Sequence, residues 1–274
     1  MKEIIYTVCE SEEGMSVKDF LVKKGLSRTI IKKAKIEGLF VRGEKVTVRR
    51  ILTVEDEVKV ILPTSSKERI EPIDIPLKIV YEDDYLLVVD KPTNMPTHPS
   101  KGNSLPTLAN AVSAIMDENF VFRAVNRLDR DTSGLVLIAK DAHTSGRLAL
   151  AMKNRKIIKK YLALVEGVPK NKKGIIDAPI RREHEDSIKR IASPDGKEAI
   201  TEYEVIEEYS DSSLLEITLH TGRTHQIRVH FAHIGHPLCG DFLYGNRSEE
   251  GYKLRCHYLS FDHPITSEKI EIKI

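Results

Sequence analysis

Apolar positions near the start of the chain fall at spacings of three and four. In VKDFLVKK, Val17, Phe20 and Leu21 share one side of a predicted helix, and Gly25 stops it. Ser27 reads as the N-cap of a second amphipathic helix, RTIIKKAKIEG, with Ile30, Ile31, Ala34 and Ile36 inward and Gly38 at its end. Two β-like runs follow, LFVRG and EVKVILP, with RGEKV as the turn between them. Pro63 to Glu68 is polar and short of anchors, as a linker is. The larger part opens with LKIVYEDD and YLLVVDKP, two strands joined by an acidic turn and ended by a lysine-proline pair.

Further along, Leu135 to Ala139 is unbroken apolar sequence, as in a strand buried on both faces. A helix capped by Asp141 precedes the strand YLALVEG, which Tyr161 opens. In LHTGRTHQIRVHFAHIGHPLCGD, Thr224 is the expected N-cap and Ile227, Phe231 and Ile234 form the apolar stripe. Gly235 and Pro237 end that helix. His225, Gln226 and Arg228 fall off the stripe, near an N-terminus whose free N–H groups favour an anion. The sum is α+β, with a small α+β unit over 1–62, a linker over 63–75 and a large unit over 76–274.

Charge changes this picture in one place. The net charge is +2, but Lys18 to Arg50 holds eleven Lys or Arg against three acids, so the rest of the chain is about −6. Arg28, Lys32, Lys33 and Lys35 stud the second helix with few acids to balance them, which suits a polyanion. No apolar run reaches the roughly 18 residues of a membrane span. The first residues carry acids where a signal peptide needs an apolar core, and the three cysteines form no CxxC. A cytoplasmic protein with no membrane association is the expectation. His230, His233, His236 and Cys239 recur at every third position, but Gly235 and Pro237 break the helix between them, so no metal is expected. Neither GxxxxGK nor GxGxxG occurs, which argues against a nucleotide-dependent enzyme.

The candidate chemistry lies in RLDRDTSG, residues 127–134, a loop that leads into the buried strand. It holds two carboxylates, each beside an arginine. Thr132, Ser133 and Gly134 can fix such a loop through hydroxyl bonds and an unusual glycine dihedral.

Two resemblances follow from these stretches. SRTIIKKAKIEGLFVRGEKV with the acidic turn VEDEV resembles the RNA-binding module of ribosomal protein S-four, over about residues 14 to 62. From about residue 76 onward, YEDDYLLVVDKP, RLDRDTSGLVLIAK, KKYLALVEG, LHTGRTHQIRVHFAHIGHPLCGDFLYG and LRCHYLSFDHP resemble, in order, the ribosomal large-subunit pseudouridine synthase A family. The likeness implies a catalytic fold with a largely antiparallel mixed central sheet, flanked by helices and loops. It also implies an isomerase that turns uridine in ribosomal or transfer RNA into pseudouridine, without cofactor or metal and as a monomer. The family's catalytic aspartate falls on Asp129, its active-site tyrosine on Tyr161 and its arginine on Arg228. Asp131 is then a brace. Arg228 is expected to grip Asp129 with its two-pronged geometry, and Tyr161 to cover the flipped base and help with the proton lost from C5. Arg127, Arg223, His225 and Gln226 join the basic helix as expected RNA contacts. Asn126 stands where the family has a histidine, a change expected to alter the grip on RNA, and Asn94 stands where it has a glycine. A non-catalytic RNA-binding factor is the rival reading, but it leaves Asp129, Tyr161 and Arg228 without a reason to occur together.

Overall fold

The computed structural model describes residues 3–26, 28–61, 70–99, 106–246, 248 and 251–274, less the side chains of 28, 29, 33, 36 and 37. The expected cap at Ser27, the side chains of Arg28, Lys33 and Ile36, and linker residues 63–69 lie outside that description.

The N-terminal part runs β1 (Glu3–Thr7), α1 (Val17–Lys23), α2 (Arg28–Glu37), β2 (Leu39–Val41), β3 (Glu44–Lys45) and β4 (Glu57–Ile61). Ser16 starts α1 by accepting the Asp19 N–H at 3.1 Å. Val17, Phe20, Leu21, Ile31 and Ala34 pack on Leu39, Val58 and Val60 in a core separate from the main one. The expected antiparallel pairing of LFV with EVKVI is present, but the turn at Arg42 and Gly43 leads first into the two-residue β3, so the direct turn between them is corrected. The run at Glu57–Ile61 lies between β2 and β1, both antiparallel to it. The intervening chain is held elsewhere, with backbone bonds from Val17 to Arg50 and from Leu52 to Met15. Tyr6 touches the main body, its hydroxyl 3.1 Å from the His143 ring.

The main body contains β5 (Lys78–Glu82), β6 (Leu86–Lys91), α3 (Leu108–Ile115), β7 (Ser133–Ala139), α4 (Ala142–Lys153) and β8 (Ile158–Glu166). Then come β9 (Lys173–Asp177), β10 (Ile180–Arg182), β11 (Arg190–Ala192), β12 (Ile200–Glu208) and β13 (Ser212–Leu219). It closes with α5 (Gln226–His233), β14 (Leu254–Asp262) and β15 (Lys269–Lys273). One sheet runs β5-β6-β7-β14-β8-β13-β12-β9, with β15 on β14. Only β7 and β14 pair in parallel among the described residues, so the sheet is mixed but largely antiparallel, as expected. Leu135 to Ala139 of β7 are fully buried, the continuous apolar strand that the sequence indicates. Asp141 caps α4, its Oδ1 accepting the His143 and Thr144 N–H groups at 2.9 and 3.0 Å.

Candidate active site

The loop before β7 is held from three sides. Lys91, fully buried at the end of β6, donates to the carbonyls of Pro92, Met95 and Arg130 at 2.8, 2.7 and 3.1 Å. Burial pushes its ammonium down to about 8. The Thr97 hydroxyl donates to the Leu128 carbonyl at 2.7 Å and accepts the Leu128 N–H at 3.2 Å. Asn126 acts as a surrogate strand: its Nδ2 donates to the Leu135 carbonyl and its Oδ1 accepts the Leu137 N–H, at 3.0 and 2.8 Å. Both ends of the buried amide are bonded to β7, so Asn126 shapes the loop that carries Asp129.

Glycine and asparagine supply the unusual backbone. Gly134 has φ +110°, and a Cβ there would sit 2.2 Å from the Cys256 carbonyl oxygen, so only glycine lets β7 and β14 approach. Asn94 has φ +58°, the left-handed conformation expected of it. Asp131 turns away onto Arg130, accepting from Nε and Nη2 at 2.8 and 2.9 Å. Thr132 closes the turn by donating its N–H to the Asp129 carbonyl at 3.2 Å.

Asp129 therefore faces a cavity of about 930 Å³ at the head of the sheet. Its side chain is 33% exposed, and its nearest basic groups are the Arg228 guanidinium, through Nη1, and the His225 ring, through Nε2, each 3.9 Å from Oδ2. The expected two-pronged grip of Arg228 on Asp129 is not made. The fork closes on Asp241, with Nε to Oδ2 at 2.6 Å and Nη2 to Oδ1 at 2.7 Å. Both partners are buried, and the guanidinium lies 4.5 Å from the ring centre of Tyr252 and 4.9 Å from that of Tyr244. Burial works against its charge, and Asp241 outweighs that, so Arg228 is held above its ordinary value. Thirteen residues separate the pair, across the end of α5 and a turn. Asp241 stands in a stretch that the sequence marks as important, but its role there was not legible.

Tyr161 lies on β8, 5% exposed and lining the cavity. Burial first, and then Cys256, hold its phenol well above the ordinary value. It stays protonated at neutral pH and can cover a base or donate a hydrogen bond.

The helix cap also differs from expectation. Position N-cap of α5 is His225, not Thr224, in a left-handed conformation at φ +58° with no side-chain cap. That twist turns the ring toward Asp129 while Nδ1 meets the Tyr244 hydroxyl at 2.8 Å. Burial lowers the His225 pKa against the pull of Asp129. Gln226 is corrected from RNA contact to brace. Its Oε1 accepts from Thr221 Oγ1 and the Arg223 N–H, both at 2.9 Å, and its Nε2 donates to the Ile200 carbonyl and Thr201 Oγ1, both at 3.0 Å. Arg127 and Arg223 are exposed at the cavity mouth, and Lys32 and Lys35 are exposed on α2. Among the described residues no three His, Cys, Asp or Glu side chains are placed to hold a metal ion. His230 spends its two nitrogens on Thr201 Oγ1 and the Ala178 carbonyl.

Comparison with known proteins bears on the family. The model of the RNA pseudouridylate synthase family matches residues 85–233. An uncharacterized RNA pseudouridine synthase, YjbO, of Bacillus subtilis is 37% identical over 93% of this chain and 93% of its own. The ribosomal large subunit pseudouridine synthase D of Vibrio cholerae is 35% identical over 98% of this chain and 90% of its own. Among solved structures, human RNA pseudouridylate synthase domain containing 1 superposes with a TM-score of 0.62 at 27% identity, covering 77% of this chain and 86% of that one. No described helix is long and apolar enough to cross a membrane. With matches of this extent, the chain belongs to the RNA pseudouridylate synthase family, in its ribosomal large-subunit synthase A branch, and is an isomerase that converts uridine in RNA to pseudouridine.

Proposed function

We propose that this enzyme isomerises uridines of ribosomal RNA, and that Asp129 is the carboxylate that opens the glycosidic bond. One observation carries the assignment: Asp129 is the only acidic side chain among the described residues lining the cavity, where Arg127, Arg130, Arg155, Lys159, Arg223 and Arg228 also face inward. Such a wall attracts a polyanion and keeps one carboxylate for chemistry. Asp129 either attacks C1′ or takes the C2′ proton. In both cases the N1–C1′ bond breaks with its electron pair on the base, the base turns, and C5 bonds to C1′ as the bond to Asp129 breaks or the C2′ proton returns; the C5 proton then passes to solvent while N1 takes one up. Arg228, held by Asp241, orients Asp129 through Nη1, and Tyr161 covers the base. Flipping the base out of its stack costs about a few kcal/mol. The N-terminal unit, read as an S-four-type RNA-binding domain over 1–62, offsets this through phosphate contacts from Lys32 and Lys35. The enzyme works as a cytoplasmic monomer without metal or cofactor.

Ribosomal RNA is favoured over transfer RNA because the large-subunit synthase of Vibrio cholerae aligns with nearly the whole chain. Purified Asp129→Asn is expected to form no pseudouridine on cellular RNA, while Asp131→Asn remains active. Pseudouridine mapping in cells lacking the protein should show sites lost from large-subunit ribosomal RNA. Losses confined to transfer RNA would overturn the substrate, and activity in Asp129→Asn would overturn the residue.

A further inference from the structure

Lys159 stands on β8 two residues before Tyr161, so both side chains leave the same face of the sheet. It lines the cavity yet is only 8% exposed. Among the described residues its ammonium meets no carboxylate, hydroxyl or carbonyl at bonding distance, and its one electrostatic neighbour is Cys256. Burial pushes that thiol up to about 12, so it carries no charge near neutral pH. The other deeply buried cations are satisfied: Lys91 by three carbonyls and Arg228 by Asp241. An unpaired buried ammonium opposes folding, and burial accordingly lowers the Lys159 pKa. Its Nζ lies beside Gly222, 3.9 Å from where a Cβ would stand there.

Depth decides which part of the substrate it meets. Phosphates of an RNA strand remain at the rim with water, where Arg127 and Arg223 are exposed. The interior of the cavity receives the flipped base. Among the described residues the ion-pair neighbours of Asp129 are Arg228 and His225, each at 3.9 Å, so Lys159 is not the counter-ion of that acid.

We infer that Lys159 is a further catalytic residue, whose ammonium donates a hydrogen bond to a carbonyl oxygen of the flipped uracil and stabilises the charge on the detached base. The inference rests on the role of Asp129 proposed above. When N1–C1′ breaks, its electron pair leaves with the base and spreads over N1, O2 and O4. Asp129 compensates the sugar, by bonding C1′ or by taking the C2′ proton. Lys159 keeps its protons throughout. Turning uracil about its N3–C6 axis exchanges N1 with C5 and O2 with O4. One fixed ammonium therefore meets a carbonyl oxygen before and after the turn, which suits a reaction whose leaving group must return.

The test is Lys159→Met, which keeps the length of the side chain and removes the charge, with Lys159→Arg beside it. Single-turnover rates at saturating enzyme are measured on an RNA that the wild type modifies, together with Kd, its salt dependence and thermal unfolding. Lys159→Met is expected to lose about 10²–10³-fold in rate, the range for one donor to a developing anion. Its Kd and salt slope should be unchanged and its Tm equal or higher, since a desolvated charge has gone. Lys159→Arg should recover part of the rate. An unchanged Lys159→Met rate overturns the inference. Weaker Kd with a smaller salt slope and an intact rate also overturns it, in favour of a phosphate contact. A lower Tm for Lys159→Met overturns it as well, since the lysine would then be structural. Asp129→Asn runs in parallel, and activity there would defeat the Asp129 reading whatever Lys159 does.

Discussion

Replacing Asp241 by alanine isolates the charge arrangement on which the site depends. Asp241 is fully buried and accepts from Arg228 Nε and Nη2 at 2.6 and 2.7 Å, and from the Leu243 and Tyr244 N–H groups at 3.0 and 3.3 Å. Arg228 is 3% exposed and packed among Phe242, Tyr244 and Tyr252, so it cannot recover the lost partner from water. Removing one member of a buried ion pair costs about 3–5 kcal/mol. The N–H groups of the 243–244 turn add little, because that turn is half-buried and water can reach it. The chain has no tryptophan, so urea unfolding is followed by tyrosine fluorescence and circular dichroism. The expected result for Asp241→Ala is a loss of about 3–5 kcal/mol. In the double variant with Arg228→Met most of that loss should be restored, because no buried charge then lacks a partner. Both variants should lack activity, because each loses the arrangement that holds the Arg228 Nη1 3.9 Å from Asp129. A single variant within about 1 kcal/mol of wild type, or losses that simply add, would refute this reasoning.

Three further outcomes follow from the geometry. Burial pushes Glu12 up, but the Lys24 ammonium at 2.8 Å and the Cys9 N–H at 3.3 Å outweigh it and bring the carboxyl down to about 2 from 4.5. A depressed folded pKa stabilises above the unfolded value, so the advantage of wild type over Glu12→Gln in urea should be full above pH 4.5 and fade as pH falls toward 2. Gly134→Ala places a Cβ 2.2 Å from the Cys256 carbonyl and 2.7 Å from its nitrogen; we expect a loss of at least about 3 kcal/mol, measured by unfolding, or a protein that does not accumulate. Asn126→Ala leaves the buried Leu135 carbonyl and Leu137 N–H without partners, at about 1–3 kcal/mol each, and both a lower urea midpoint and a lower isomerisation rate are expected.

Periodic segments were legible in the sequence and contacts across the sheet were not. Strand β7, the Asp141 cap and the stripe of α5 follow from the order of apolar and polar residues, because burial alone determines them. Strand β1 escaped because its pattern is short, and its exposed Ile5 blurs the inner face. After α2 the pairing of LFV with EVKVI was legible, but β3 within the connection and β1 on the far side of EVKVI were not, because only tertiary contacts place them. At the site, Asp129, Tyr161 and Arg228 do converge on one cavity wall, since their motifs lie at the heads of adjoining elements. What could not be read was which acid Arg228 holds. The left-handed turn at His225 was equally hidden, because a histidine at positive φ is a conformation that spacing does not signal.

The identity of that acid changes what the site can do. Had the fork of Arg228 closed on Asp129, the carboxylate would have spent its lone pairs on two short charge-assisted bonds, and it would have been a weak nucleophile and a weak base. By closing on Asp241, the fork is satisfied elsewhere and leaves only Nη1 directed at Asp129, at 3.9 Å. Asp129 thus feels a positive field without being consumed by it. The same separation recurs in the loop: Asp131 takes the Arg130 guanidinium, and Lys91 is occupied by carbonyls. Arg130 and Lys91 are thereby anchored to something other than Asp129. Lys159, buried in the same cavity, is anchored to nothing and is no ion-pair neighbour of Asp129, and that is the physical ground for placing it against the base and not against the acid.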